Sequence, residues 1–193
     1  MSDSSTGGYL LPTTPPPLDD TSLMDFLHSV IEGVTALPPT LIRQSWQRNP
    51  PPVPSNGVDW VSYGITRKKH TPYPYMAMNE NEMYEYQMQE DLDVYCIFYG
   101  ANCMSYASLL RDSMYIPQNS ESMNSVGIAL KGFGEIDHVP EIPTLNYFDR
   151  CDIVMNLVRE IRREYPVLSF LSVVGSLNAN TNTEIYTNDF EVQ

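Results

Sequence analysis

The sequence predicts an α+β fold, a mainly antiparallel sheet with two amphipathic helices packed on one face. Three observations predict it. Apolar residues alternate with polar ones over a long stretch ending at Phe98, which is the period of a half-buried strand. Two other stretches, Leu23 to Val34 and Tyr106 to Met114, carry apolar residues at spacings of three and four, the period of a helix with one buried stripe. The order helix, two strands, long strand, helix, two strands lacks the strict alternation that a parallel sheet requires.

Residues 1–20 are rich in Ser, Thr, Gly and Pro and end in Pro15-Pro16-Pro17, a composition that buries too little apolar surface to offset ordering entropy. A flexible arm is expected there, either without a role or clasping a neighbour. Residues 21–172 form the expected domain. Leu23, Phe26, Leu27, Val30, Ile31 and Val34 line one helical stripe, with Thr21 or Ser22 as N-cap. Pro38-Pro39 ends that helix, and Leu41 to Trp46 reads as a short strand. The Pro-rich run from Asn49 to Gly57 is a loop by composition. Trp60 to Ile65 is the next strand, and Arg67, Lys68 and Lys69, followed by Pro72 and Pro74, read as a basic loop.

In the long strand, Tyr84, Tyr86, Met88, Leu92, Val94, Cys96 and Phe98 share one face, interrupted by Glu90. The other face carries Glu85, Gln87, Gln89, Asp91 and Asp93 and is expected to be wet and acidic. Gly100 and Asn102 precede the second helix, which Pro117 closes, and Ser120 to Ser125 offers one more turn. Ile128 to Ile136 reads as a strand bent or closely approached at Gly132 and Gly134. Cys151 to Ile161 satisfies both periods, so spacing alone leaves helix and strand open. Residues 173–193 form a C-terminal extension, rich in Asn and Thr with a small apolar set of Ile185, Tyr186 and Phe190.

Composition limits the function. Eleven Lys and Arg against 24 Asp and Glu give a formal charge of −13, far from the basic balance that phosphate neutralisation needs. An acidic surface can still serve beside DNA by letting a duplex pass without sticking. No basic segment followed by an apolar run opens the chain, and no apolar stretch approaches the ~20 residues that span a bilayer, so a soluble protein made in the cytoplasm is expected.

The residues nominate no catalytic, cofactor-binding or metal set. Cys96, Cys103 and Cys151 form no CxxC pair and lack histidines at ligand spacing, so buried free thiols are expected. His28, His70 and His138 lie far apart in sequence. No Gly-rich loop or Gly-x-Ser-x-Gly elbow is present. The carboxylates Glu80, Glu82, Glu85, Glu90, Asp91 and Asp93 are the best enzymatic lead, but Asp91 and Asp93 would stand about 7 Å apart along a strand rather than converge in a pocket. The tyrosines Tyr73, Tyr75, Tyr84, Tyr86, Tyr95 and Tyr99 suit either subunit contact or ordinary strand propensity.

The run from Leu37 to Pro51, LPPTLIRQSWQRNPP, followed by Asp59 to Thr66, DWVSYGIT, resembles the signature of the phage neck terminator family. Phe98 to Asn102, Tyr106 to Asp112, Ile116 to Asn119 and Arg162 to Leu168 resemble later blocks of that family in the same order. The resemblance covers about Leu23 to Ser172. The tyrosine-rich start of the long strand and the residues beyond Asn178 depart from the pattern.

The resemblance implies a structural virion protein of the neck rather than an enzyme, with no cofactor. It implies a ring, hexameric by similarity to the terminators of long-tailed phages, that ends the tail tube and possible sheath and joins the tail to the head-side connector. It also tips the ambiguous stretch after Cys151 toward strand. A head-closure or adaptor protein of the neck is the nearest alternative, and a non-viral acidic binding module a more distant one. In a ring, the face bearing Glu85, Gln87, Gln89, Asp91 and Asp93 would line the channel through which DNA passes, and Arg67, Lys68 and Lys69 would contact acidic partner subunits.

Overall fold

A computed structural model describes residues 8–55, 57–81, 83–139, 149–167, 173–181 and 184–192. The first seven residues of the expected arm, Glu82, Leu168 at the end of the closing block, and the side chains of Ile185, Tyr186 and Phe190 lie outside the described residues. The chain divides into two compact units: one comprises Pro15–Tyr75 and Tyr86–Arg162, the other Met1–Thr14, Met76–Glu85 and Arg163–Gln193.

In the larger unit, helix α1 spans Asp20–Thr35. Its N-cap is Asp19, upstream of the expected Thr21 or Ser22, because the Ser22 hydroxyl accepts the Asp19 amide at 3.2 Å and donates to the Asp19 carbonyl at 2.8 Å. A single 3-10 turn, Pro39–Leu41, leads into β1, Ile42–Gln44, shorter than the expected strand. Strands β2, Trp60–His70, β3, Tyr75–Met78, and β4, Tyr84–Tyr99, follow. Helix α2, Cys103–Met114, gives way to α3, Pro117–Ser125, with Pro117 at its first turn. The proline that ends one helix therefore starts the next, since its missing amide costs nothing at that position. Among the described residues three α-helices stand where two were expected. Strands β5, Ile128–Phe133, β6, Asp137–His138, and β7, Arg150–Tyr165, complete the sheet. The ambiguous stretch after Cys151 is strand throughout.

The sheet runs in the order β1-β2-β4-β7-β5, with β3 pairing β4 and β6 pairing β7. β1 runs parallel to β2, whereas β2–β4 and β5–β7 are antiparallel. Contacts between β4 and β7 join Tyr95 to Asp152, Asp93 to Asn156 and Glu90 to Arg159, so these strands also run in opposite senses. Leu92, Val94, Cys96 and Phe98 of β4 and Cys151, Ile153, Met155 and Leu157 of β7 are buried on one face, against Leu23, Leu27 and Ile31 of α1, Leu110 of α2 and Met123 of α3. Burying each large side chain contributes about 1.5–3 kcal/mol, which makes this face the main source of cohesion.

β2 continues through Arg67, Lys68 and Lys69 to His70, so the expected basic loop is strand. A bulge between Ile65 and Arg67 explains how charged residues enter it. Before the bulge Val61, Tyr63 and Ile65 pair with Phe98, Cys96 and Val94 on the helix side. After it the alternation reverses, and Arg67 and Lys69 come opposite Asp93 and Asp91 on the other side. In unbroken register Arg67 and Lys69 would point at the helices.

In the smaller unit, Asn79 closes the β3–β4 turn: its amide donates to the Met83 carbonyl at 2.8 Å and its side-chain oxygen accepts the Asn81 and Met83 amides at 3.0 Å each. Thr13 donates its amide to the Glu164 carbonyl at 2.8 Å, tying residues of the expected free arm to the end of β7. The expected C-terminal extension forms an antiparallel hairpin, β8, Val173–Thr181, with β9, Glu184–Val192.

Candidate functional site: the helix-free face of the sheet

All three helices contribute to the core on one side of the sheet. The opposite side carries the odd-numbered residues of β4 and the even-numbered residues of β7, mostly half-buried. Each expected channel residue falls on β4; Gln87, Gln89, Asp91 and Asp93 share this helix-free side by alternation, while Glu85 belongs to the smaller unit.

The side is less uniformly negative than its sequence suggests. Lys131, at a bulge in β5, pairs with Asp91 at 2.9 Å. Arg67 of β2 approaches Asp93 at 3.7 Å, and the Asn156 side-chain amide donates to Asp93 at 2.8 Å. The two bulges therefore deliver a cation from either flank to the acidic strand. Farther along, the Tyr95 hydroxyl donates to Asp152, which also accepts two hydrogen bonds of 2.8 Å from Arg150. Burial and the Asp152 carboxylate push the Tyr95 phenol above its ordinary value, and the same carboxylate holds the Arg150 guanidinium firmly protonated. At the end of the row Trp60 and Tyr99 stack at 4.2 Å with Arg43 over the indole at 5.6 Å. A shallow cleft of about 270 Å³ lies beside Asp91, Asp93, Lys131 and Asn156. Its carboxylates are held apart by cations and amides, an arrangement suited to a surface rather than to acid–base exchange with a substrate.

The basic triplet is split between the two sides of the sheet. Arg67 and Lys69 lie exposed on the helix-free side, while Lys68 turns back to Asp19 at 2.5 Å. There it joins a cluster that sequence reading missed. Arg159 of β7, 4% exposed, holds Glu90 at 2.5 Å and Asp19 at 2.8 Å and donates to the Leu18 carbonyl. Burial works to raise the Asp19 carboxyl, but hydrogen bonds from Lys68 and Arg159 outweigh it and hold the group below its ordinary value. Glu90, the interruption in an otherwise apolar alternation, was the available signal.

The thiols are buried as expected, and burial pushes Cys96 up to about 12. The fold brings two of them together: Cys103 and Cys151 have their sulfurs 2.7 Å apart. Burial and the Cys103 thiol push Cys151 up to about 12. Their sequence separation of 48 residues hid that meeting.

The model of the family described as phage neck terminator protein matches residues 21–187. The chain belongs to that family. The match runs from α1 into β9, so it includes the whole helix-free face and extends past Ser172, where the sequence blocks ended. No curated protein matches the chain. Membership gives the protein a structural role in the phage neck and association with other tail and head proteins. Among the described residues no helix is long and apolar enough to cross a membrane.

Proposed function

We propose that this neck terminator forms a ring, a hexamer by the resemblance noted above, that ends the tail tube and any sheath and joins the tail to the head-side connector. The observation that carries this reading is the family match over residues 21–187. Ring closure needs two different surfaces on each subunit, so that one patch meets another and the rotation returns to its start. A sheet with helices on one side and a polar, ion-paired face on the other supplies two such unlike surfaces.

In this ring the helix-free side of β4 lines the channel. Gln87 and Gln89 supply polar groups, and Asp91 and Asp93 balance Lys131 and Arg67, so a passing duplex meets a wall without excess positive charge. Lys69, exposed on that side, contacts acidic neighbours at the ring's margin, while Arg67 and Lys68 face Asp93 and Asp19 of their own subunit. On this reading the ring catalyses no reaction.

Electron microscopy of particles made with and without the protein tests this. Overlong tails in its absence, with a ring density at the head-proximal tip that returns on complementation, are the expected result. Headless tails of normal length would overturn the termination role in favour of a head-closure or adaptor protein.

A further inference from the structure

Three soft-metal donors converge at the end of the sheet where α2 begins, on the helix side and apart from the face described above. Cys103 is the first residue of α2, and Cys151 is the second residue of β7. Both are buried, at 3% and 0% exposure. His138 of β6 stands directly opposite Cys151 in the antiparallel pairing. That position puts their side chains on one face with Cβ atoms about 5 Å apart. The two sulfurs and a ring nitrogen of His138 all lie within 4.8 Å of one another.

The backbone holds these elements independently of the side chains. Gly100 donates its amide to the Asp149 carbonyl at 3.1 Å, Cys103 to Gly100 at 3.1 Å, and Val139 to the Arg150 carbonyl at 2.9 Å. Asp149 also presents its carboxylate 3.7 Å from His138 Nε2. That distance is beyond a hydrogen bond, so the carboxylate is an electrostatic neighbour of the imidazole and not its anchor. His138 is 45% exposed, so the cluster opens to solvent on one side and an ion has a path in.

We propose that Cys103, Cys151 and His138 bind a zinc ion as two thiolates and one imidazole, with water in the fourth position. Two sulfurs and a nitrogen form the donor set that zinc prefers, since hard cations take oxygen ligands. Binding would convert two thiols to thiolates and release two protons to solvent, with no change of oxidation state. Two thiolates on a tetrahedral ion with Zn–S distances of about 2.3 Å stand about 3.8 Å apart. The present separation of 2.7 Å exceeds the roughly 2.05 Å of a disulfide bond and falls short of that value, so side-chain rotation of either cysteine completes the site. A disulfide is the competing chemistry, and it would leave the imidazole beside the sulfurs without a purpose. The ion would pin the start of α2 to β6 and β7, at the end of the sheet where Asp59 also accepts two hydrogen bonds from Asn102.

The test uses the full chain, purified under reducing conditions, stripped of metal, and titrated with Co²⁺ and then Zn²⁺. One Co²⁺ per chain, with a thiolate-to-cobalt charge-transfer band that Zn²⁺ displaces, is expected, together with a rise in the unfolding midpoint that a chelator reverses. His138→Ala changes a half-exposed residue and is expected to fold and to weaken Zn²⁺ binding at least tenfold. Cys103→Ser, which retains a small polar side chain, is expected to abolish the band. A reduced wild-type chain that takes up no Co²⁺ would overturn the site, as would a band and affinity unchanged in His138→Ala. If the chain carries a Cys103–Cys151 disulfide as isolated and still binds no ion once reduced, the pair belongs to redox chemistry instead.

Discussion

Arg159 and Glu90 form an ion pair of 2.5 Å on the helix side of the sheet, at the end of the otherwise apolar rows of β4 and β7. Their side chains are 4% and 14% exposed, so Glu90 depends on Arg159 in place of water, and Arg159 on Glu90, Asp19 and the Leu18 carbonyl. Removing one partner of such a pair costs about 3–5 kcal/mol, because the charge left behind stays buried. Arg159→Met is therefore expected to destabilise the protein by about 3 kcal/mol, measured by urea unfolding. The double variant Glu90→Leu with Arg159→Met is expected to recover much of that loss, since apolar replacement of a whole buried pair is often neutral. A double variant as unstable as the single one would show that Arg159 acts mainly through Asp19 and the Leu18 carbonyl.

The third member of that cluster makes stability depend on pH. Lys68 and Arg159 hold the Asp19 carboxyl below its ordinary value against the opposing effect of burial. The unfolded chain then takes up this proton more readily than the folded one, and stability is lost on acidification. The contribution is complete above the unfolded value of about 3.9 and fades as the pH falls through that value and then through the lower folded one. Asp19→Asn, which keeps a competent N-cap, is expected to lower the melting midpoint at pH 7. Because Asp19 is 37% exposed, the effect should be below about 1 kcal/mol. Midpoints of the two proteins should converge as the pH falls below about 4. A constant difference from pH 7 to pH 3 would assign the loss to geometry instead of charge.

Where one period dominated, the fold was legible in the residues: the stripe from Leu23 to Val34 and the alternation from Leu92 to Phe98 both occupy the expected faces. Two bulges defeated the reading elsewhere. Arg67 to Lys69, followed by Pro72 and Pro74, read as a basic loop, and it is the extra residue at Thr66 that lets the strand continue with Arg67 and Lys69 on the side away from the core. Lys131 reaches Asp91 from a bulge next to Gly132, and nothing local announces that partnership. The acidic row was visible, but its partners lie on other strands, Lys131 paired with Asp91, and Asn156, 63 residues away, donating to Asp93. Cys103, Cys151 and His138 lacked ligand spacing because three separate elements bring them together.

Gly100 occupies a junction that tolerates no side chain. Its φ is +106°, and a Cβ there would meet the Asp59 Cα and the Val58 carbonyl oxygen at 2.8 Å each. Both obstacles are backbone, so neither can swing aside as a flexible side chain would. Gly100→Ala is expected to cost more than about 2 kcal/mol, combining the strain of positive φ with displacement of the loop that caps α2. Gly127, also at positive φ of +74° but with nothing within 4 Å, isolates the conformational part. Gly127→Ala should cost about 1 kcal/mol. Equal losses in the two variants would show that the Val58–Asp59 contact yields easily.

The channel reading makes its sharpest prediction at Asp91 and Asp93. Replacing both by Asn leaves Lys131 and Arg67 without their partners, which turns the helix-free patch positive while changing little of the packing. As exposed or half-exposed ion pairs, they should contribute no more than about 1 kcal/mol each to stability, so tails should still be capped in normal number. A wall facing the channel would then attract DNA phosphates within about 10 Å at moderate salt and slow ejection, and raising the ionic strength should relieve the delay. Adding Arg67→Gln and Lys131→Gln to the pair should restore the wild-type rate at low salt. Ejection at an unchanged rate in the Asn variant, with normal capping, would mean that this face points away from the DNA.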